Sequence, residues 1–144
     1  MRRPVFAALA LAIACGDSTG PSKDVTGRWI YSATNVAGSG LSCNINALMN
    51  LTQTGHTLTG SVSSGRITCL AVSTPAVNIN LGNTVVAITN GHVDGNGIFF
   101  DIDTQDIHNF GVLSRDSFSG SVQMDLVWGI STFPLAGNFT AMRQ

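Results

Sequence analysis

The sequence contains no glutamate, and Lys23 is its only lysine. Charged residues are 10% of the 144, where soluble domains commonly carry about a quarter. Solvent-facing helices draw much of their surface from Glu and Lys, so this shortage argues against a helical protein. There is no basic stripe, which removes the electrostatic footprint that nucleic-acid binding requires. The longest apolar run is ten residues, Val5 to Ala14, short of the roughly 20 needed to span a bilayer as a helix. Neither an H-E-x-x-H motif nor a phosphate loop is present, so two common routes to hydrolytic chemistry are missing.

Gly, Ser, Thr and Asn fill the place of the missing charges. That mixture of turn formers and β-branched residues suits an all-β chain. A chain of 144 residues is expected to form one domain, large enough to bury a core without several disulfides.

The start of the chain is a different kind of segment. Met1-Arg2-Arg3-Pro4 is a short positive region, and the apolar run that follows has the length of a signal-peptide core. The run stops at Ala12-Ile13-Ala14-Cys15. Two processing routes fit these letters. The tetrapeptide resembles a bacterial lipobox, with Ala12 where Leu is usual, which makes Cys15 the lipidated first residue. Ala12-Ile13-Ala14 is also an A-x-A site, which releases a soluble secreted or periplasmic protein. The following Gly16-Asp17-Ser18-Thr19-Gly20-Pro21-Ser22 reads as a flexible tether. The expected organisation is a signal peptide at 1–14, lipidated Cys15 and tether at 15–24, and a β-barrel domain at 25–144, held at the cell envelope. Removing Arg2 and Arg3 leaves five basic residues against eight acids, all of them Asp.

With Cys15 carrying lipid, Cys43 and Cys69 remain as a pair in an oxidising compartment. The hairpin Asn44–Gln53, Thr54-Gly55-His56, Thr57–Ser63 brings Cys43 opposite residues near 67. A disulfide to Cys69 is therefore expected, stabilising the fold by about 3–4 kcal/mol in the chain-entropy model. Two buried free thiols are the alternative. A metal site is disfavoured because two cysteines without CxxC spacing supply too few ligands.

Alternation of apolar and polar residues marks the strands. Cys43, Ile45, Ala47, Met49 and Leu51 alternate with mostly polar neighbours. Ile98, Phe100 and Ile102 do so again after the hairpin turn Asp94-Gly95-Asn96-Gly97. Phe118, Gly120, Val122, Met124 and Leu126 repeat the pattern. Eight strands are expected, at Val25–Ala33, Cys43–Gln53, Thr57–Ser63, Val85–Val93, Ile98–Asp103, Ile107–Ser114, Phe118–Leu126 and Leu135–Arg143. A short extra strand at Val77–Leu81 is expected inside the connection Leu70–Thr84. Short successive hairpins favour an up-and-down antiparallel meander that closes into a barrel over a two-sheet sandwich. Leu58-Thr59-Gly60-Ser61-Val62 and Phe118-Ser119-Gly120-Ser121-Val122 echo one another, with Gly expected where strands coil tightly.

Gly27-Arg28-Trp29 opens the first strand and Arg143 lies in the last. This resembles lipocalins, in which a G-x-W Trp closes the barrel base and an Arg near the chain end packs on it. The hairpin Leu51–Gly60 is likewise similar to small bacterial lipocalin-like and avidin-like (calycin) barrels. The resemblance implies an eight-stranded lipocalin/avidin-like barrel, with Gly27, Trp29 and Arg143 in structural roles.

Candidate sites are few. Nothing in the spacing brings His56, His92 and His108 together. Asp101, Asp103 and Asp106 could offer oxygens to a cation but lack the Gly and Glu of an EF-hand loop, and no metal site or cofactor is expected. No Ser/His/Asp set is picked out, so the chain is read as a non-enzyme. Val127–Pro134 reads as an apolar loop, with Trp128, Ile130 and Phe133 near a barrel mouth or folded over it. Two functions follow as expectations: a lipid-anchored barrel that binds a small apolar ligand, or a solid barrel that meets another envelope protein.

Overall fold

The structure, a computed structural model, describes residues 23–71, 77–80 and 85–144. The signal segment, Cys15 and nearly all of the tether lie outside the described residues, as does most of Leu70–Thr84. Nine antiparallel strands follow in order: β1 Gly27–Gly38, β2 Leu41–Thr54, β3 Thr57–Ala71, β4 Val77–Asn80, β5 Val86–Asp94, β6 Gly97–Ile102, β7 Ile107–Leu113, β8 Ser117–Trp128 and β9 Ser131–Arg143. Eight of them close into a ring. β1 pairs with both β2 and β9, and the β2–β3 and β3–β5 pairings complete the circuit. β4 is the ninth, added beside the far half of β3 at Arg66–Cys69.

The expected meander is present, with three differences. β3 continues to Ala71, well past Ser63, because its second half has partners on both sides in β2 and β4. The apolar segment Val127–Pro134 is mostly strand, not loop. β8 and β9 pair as far as Trp128 and Ser131, and only Gly129 and Ile130 turn the corner. The β2–β3 register also slips by one at Leu48/Met49. Leu48 faces Ser64 and Met49 faces Val62, so Ser63 has no opposite residue, and its hydroxyl donates to the Leu48 carbonyl at 3.2 Å. The bulge carries Cys43 from the level of Thr68 to that of Cys69, and the two form a fully buried disulfide. That bond fits maturation in an oxidising compartment.

Alternation fills the barrel. Trp29, Tyr31, Phe100, Phe118 and Phe139 all point inward and are at most 2% exposed. Tyr31 stacks on Phe139 at 5.2 Å, Trp29 meets Phe118 at 4.8 Å, and Phe100 stands edge-on to both Phe118 and Phe139 at 6.0 Å. Such pairs add about 0.5–1.5 kcal/mol each beyond their burial. Asn109 is the buried polar side chain among the described residues. It accepts from the Tyr31 hydroxyl at 2.7 Å and donates to the Phe100 carbonyl at 3.3 Å. Burial drives the Tyr31 hydroxyl well above its ordinary titration range, so it remains a donor to Asn109.

Strand coiling around these rings needs glycine at close approaches. A Cβ at Gly120 would sit 1.9 Å from the Phe110 carbonyl oxygen, and one at Gly60 would sit 2.2 Å from that of Asn50. The two echoing segments therefore share a physical cause: each lets a neighbouring strand cross with no side chain between.

At the base, Val25 is buried beneath the barrel. Its N–H donates to Gln53 Oε1 at 3.0 Å, and its carbonyl accepts from the Trp29 indole at 2.8 Å. The Arg143 guanidinium lies 4.6 Å from the Trp29 ring centroid. Its Nη1 and Nη2 donate to the Thr26 and Asp24 carbonyls at 2.8 Å each. Gly27 makes room for it, since a Cβ there would lie 3.1 Å from Nη1. We expect Arg143→Ala to lower unfolding free energy by about 1–3 kcal/mol, from the exposed cation–π contact and two charge-assisted hydrogen bonds. Arg143→Lys should recover only part of it, because an ammonium lacks the planar fork. Urea unfolding of the two variants against the parent chain measures both.

Candidate functional site

The ring of strands gives the molecule two ends and an outer wall. Gly27, Arg143 and the turns after β2, β5 and β7 lie at the base. The β1–β2, β6–β7 and β8–β9 turns lie at the far end. Trp128 and Ile130 stand there on the β8–β9 hairpin, 45% and 105% exposed, whereas Phe133 is partly buried against the core. Gly129 turns this hairpin with φ of 64°. The three side chains do not converge on a common cavity. Among the described residues, none of the three lines the grooves of 330, 270, 310 and 360 Å³ on the barrel surface.

The chemistry gathers on the wall of β5–β8. Outward positions on adjacent strands fall beside one another, and here Asp101 on β6 pairs with His108 on β7. His108 Nδ1 lies 2.7 Å from Asp101 Oδ1, and Asn90 Nδ2 donates to Oδ2 at 2.7 Å. Asn90 reaches this position from a bulge in β5 between Thr89 and His92, where its φ is 50°. Asn tolerates that left-handed backbone better than most residues. Burial pushes the Asp101 carboxyl upward, but hydrogen bonds from Asn90 and His108, and the His108 charge, outweigh it and hold the group below its ordinary value.

Beside this network, Phe99 and Phe110 pair across β6–β7 with rings 4.6 Å apart. They are 41% and 47% exposed. The groove of 270 Å³ runs between these rings and Asn90, Asp101, His108, Ser121 and Gln123. A second groove of 330 Å³ continues from His108 and Gln123 toward Asp106, Asp125 and Ala136. Ser121 shares the first groove without a hydrogen bond to His108. Asp101 has its two oxygens engaged, and Asp103 and Asp106 are exposed nearby. Among the described residues no three His, Cys, Asp or Glu side chains are grouped so as to hold a metal.

Sequence spacing separated the histidines, but folding joins two of them. The His56 and His92 rings stack at 5.8 Å because Thr57 faces His92 across β3–β5. His56 Nδ1 lies 2.9 Å from the Val93 carbonyl. The Asp101–His108–Asn90 network was also missed. Its members are 7 to 18 residues apart, and only the β5 bulge and the β6–β7 register bring them together.

No protein-family model matches the chain, and no curated protein or solved structure is significantly similar to it.

The Asp101 network makes stability depend on acid. Its folded carboxyl titrates below the ordinary value of 3.8, so its contribution is complete above about pH 4 and is lost as pH falls through the folded value. Urea midpoints measured from pH 6 down to pH 2 should fall less steeply in Asp101→Asn than in the parent. Parallel curves would remove Asp101 from the acid response.

Proposed function

We propose that the chain is an exported lipoprotein, held to a membrane through Cys15, whose barrel serves as a solid interaction module of the cell envelope. The observation that carries the solid-barrel reading is the packed interior. Five large rings fill it, and the buried Asn109 has its partners within the protein. A small apolar ligand inside would have to displace rings that pack on one another at 4.8–6.5 Å. In layout the barrel keeps its likeness to lipocalin-like and avidin-like proteins, but it would act through its outside. The two ends of the domain meet at the base, at Gly27 and Arg143. Residues 23–26 join the barrel at that end, leaving the wall and the far-end hairpin free to meet a partner.

Export rests on the positive start, the ten-residue apolar run and the small residues before Cys15. The Cys43–Cys69 disulfide agrees with an oxidising destination. More than one acyl chain, as the lipobox route supplies, would make the attachment stable. We assign no catalytic role to Asp101–His108, because among the described residues no nucleophile is hydrogen-bonded to the imidazole. Growth of an expressing bacterium with a clickable palmitate analogue tests the anchor. The chain should take up label, and Cys15→Ala should lose it. An unlabelled chain, in cells that label other lipoproteins, would leave a soluble secreted barrel.

A further inference from the structure

On the outer wall of β5–β8, apolar rings and held polar groups face water together. Outward positions of β8 and β9 beside them are Ser119, Ser121, Asn138 and Thr140, whereas Phe99 and Phe110, with Val112 next along β7, turn apolar side chains to water. A cross-strand aromatic pair stabilises a sheet, but that role leaves unexplained why both rings border a groove with Asn90, Asp101 and His108. The polar groups are fixed before any ligand arrives. Asp101 is clamped from both sides, and the left-handed Asn90 is carried to it by the bulge. With Nδ1 turned to Asp101, His108 Nε2 is left for an outside partner, and the Gln123 amide lies beside it in both grooves. The two grooves share these residues and form one trough, 270 and 330 Å³ in its two parts, comparable with small-molecule clefts of about 300 Å³ and above.

Electrostatics narrow the occupant. Asp101, Asp106 and Asp125 line the trough, and no Lys or Arg does, so phosphates and acidic glycans are repelled. A wholly apolar partner would strip water from Asp101, His108 and Asn90 without replacing those contacts. What fits is an uncharged ring with one C–H face and a rim of hydroxyls that both donate and accept. We propose that this trough binds neutral pyranose glycans, with a sugar face on Phe99 and Phe110 and its hydroxyls on Asp101, Asn90 and His108. The inference rests on the reading that the barrel acts through its outer wall, and it names the partner class for that wall.

The test is an amide NMR titration of the full chain with cellohexaose and, separately, with hexa-N-acetylchitohexaose at millimolar concentration. Saturable shifts are expected at Phe99, Asp101, His108 and Phe110 with at least one of the two. Phe99→Ala/Phe110→Ala should weaken binding by about tenfold or more, equivalent to about 1.4 kcal/mol. Asp101→Asn, which keeps the rings and the side-chain volume, should weaken it while leaving the spectrum folded. No shift with either sugar, or shifts that survive both variants, would overturn the proposal. Shifts centred on Tyr31, Asn109 and Val122 would instead place the sugar inside the barrel and overturn the solid-barrel reading as well.

Discussion

The pairing of β1 with β9 is the contact on which the other features depend. It runs from Trp29 opposite Arg143 to Ala37 opposite Ala136, and it joins the two ends of the domain. Without it the sheet would have a free β1 edge and a free β9 edge, and its apolar face would be open to water. With it, eight strands share their backbone hydrogen bonds around a ring. The pairing is sealed where it begins. Trp29 lies across the base, Arg143 covers the ring, and the guanidinium ties down the Thr26 and Asp24 carbonyls of the incoming chain. The same few residues thus close the barrel and fix the direction from which the chain enters it.

Closure turns alternation into a packed interior. Each strand sends every second residue toward the axis, and in eight strands those residues include five large aromatic rings. Two of those rings carry a polar group, and both are satisfied within the protein: the Tyr31 hydroxyl by Asn109 and the Trp29 indole by the Val25 carbonyl. Gly60 and Gly120 let the wall coil tightly around that filling. At the other end of the axis, Cys43 and Cys69 lock the long β2–β3 hairpin from inside. A barrel built this way has its chemical variety outside, at outward positions of β5–β8 and on the exposed β8–β9 turn.

Features with a short-range signal were legible in the sequence. Strand positions followed from period-two alternation, the hairpin at Asp94–Gly97 from its turn chemistry, and the disulfide from an approximate register. Trp29 and Arg143 stood out because a G-x-W and a terminal Arg resemble a known barrel base. What escaped depends on slips of register. One extra residue at Ser63 moves Cys43 one position along its partner strand, from Thr68 to Cys69. The bulge at Asn90 turns that side chain onto Asp101. In each strand the extra residue reverses the phase of alternation, from Leu58 and Val62 to Ile67 and Cys69 in β3 and from Val86 and Ile88 to Val93 in β5, but the small and polar residues around each bulge leave the point of reversal unmarked. The long reach of β3, which pairs β5 with its first half and β4 with its second, was hidden for a related reason: sequence pattern gives strands but not how many partners each one has. Val127–Pro134 looked like a loop because its apolar residues face outward as well as inward, and a hairpin that projects beyond its neighbours has no single wet face.

Native mass spectrometry of the purified protein tests the solid interior most directly. The account predicts the mass of the processed chain with one disulfide and its anchor, and no small molecule released on extraction into organic solvent. A stoichiometric apolar compound that travels with the folded barrel and is lost on unfolding would contradict it.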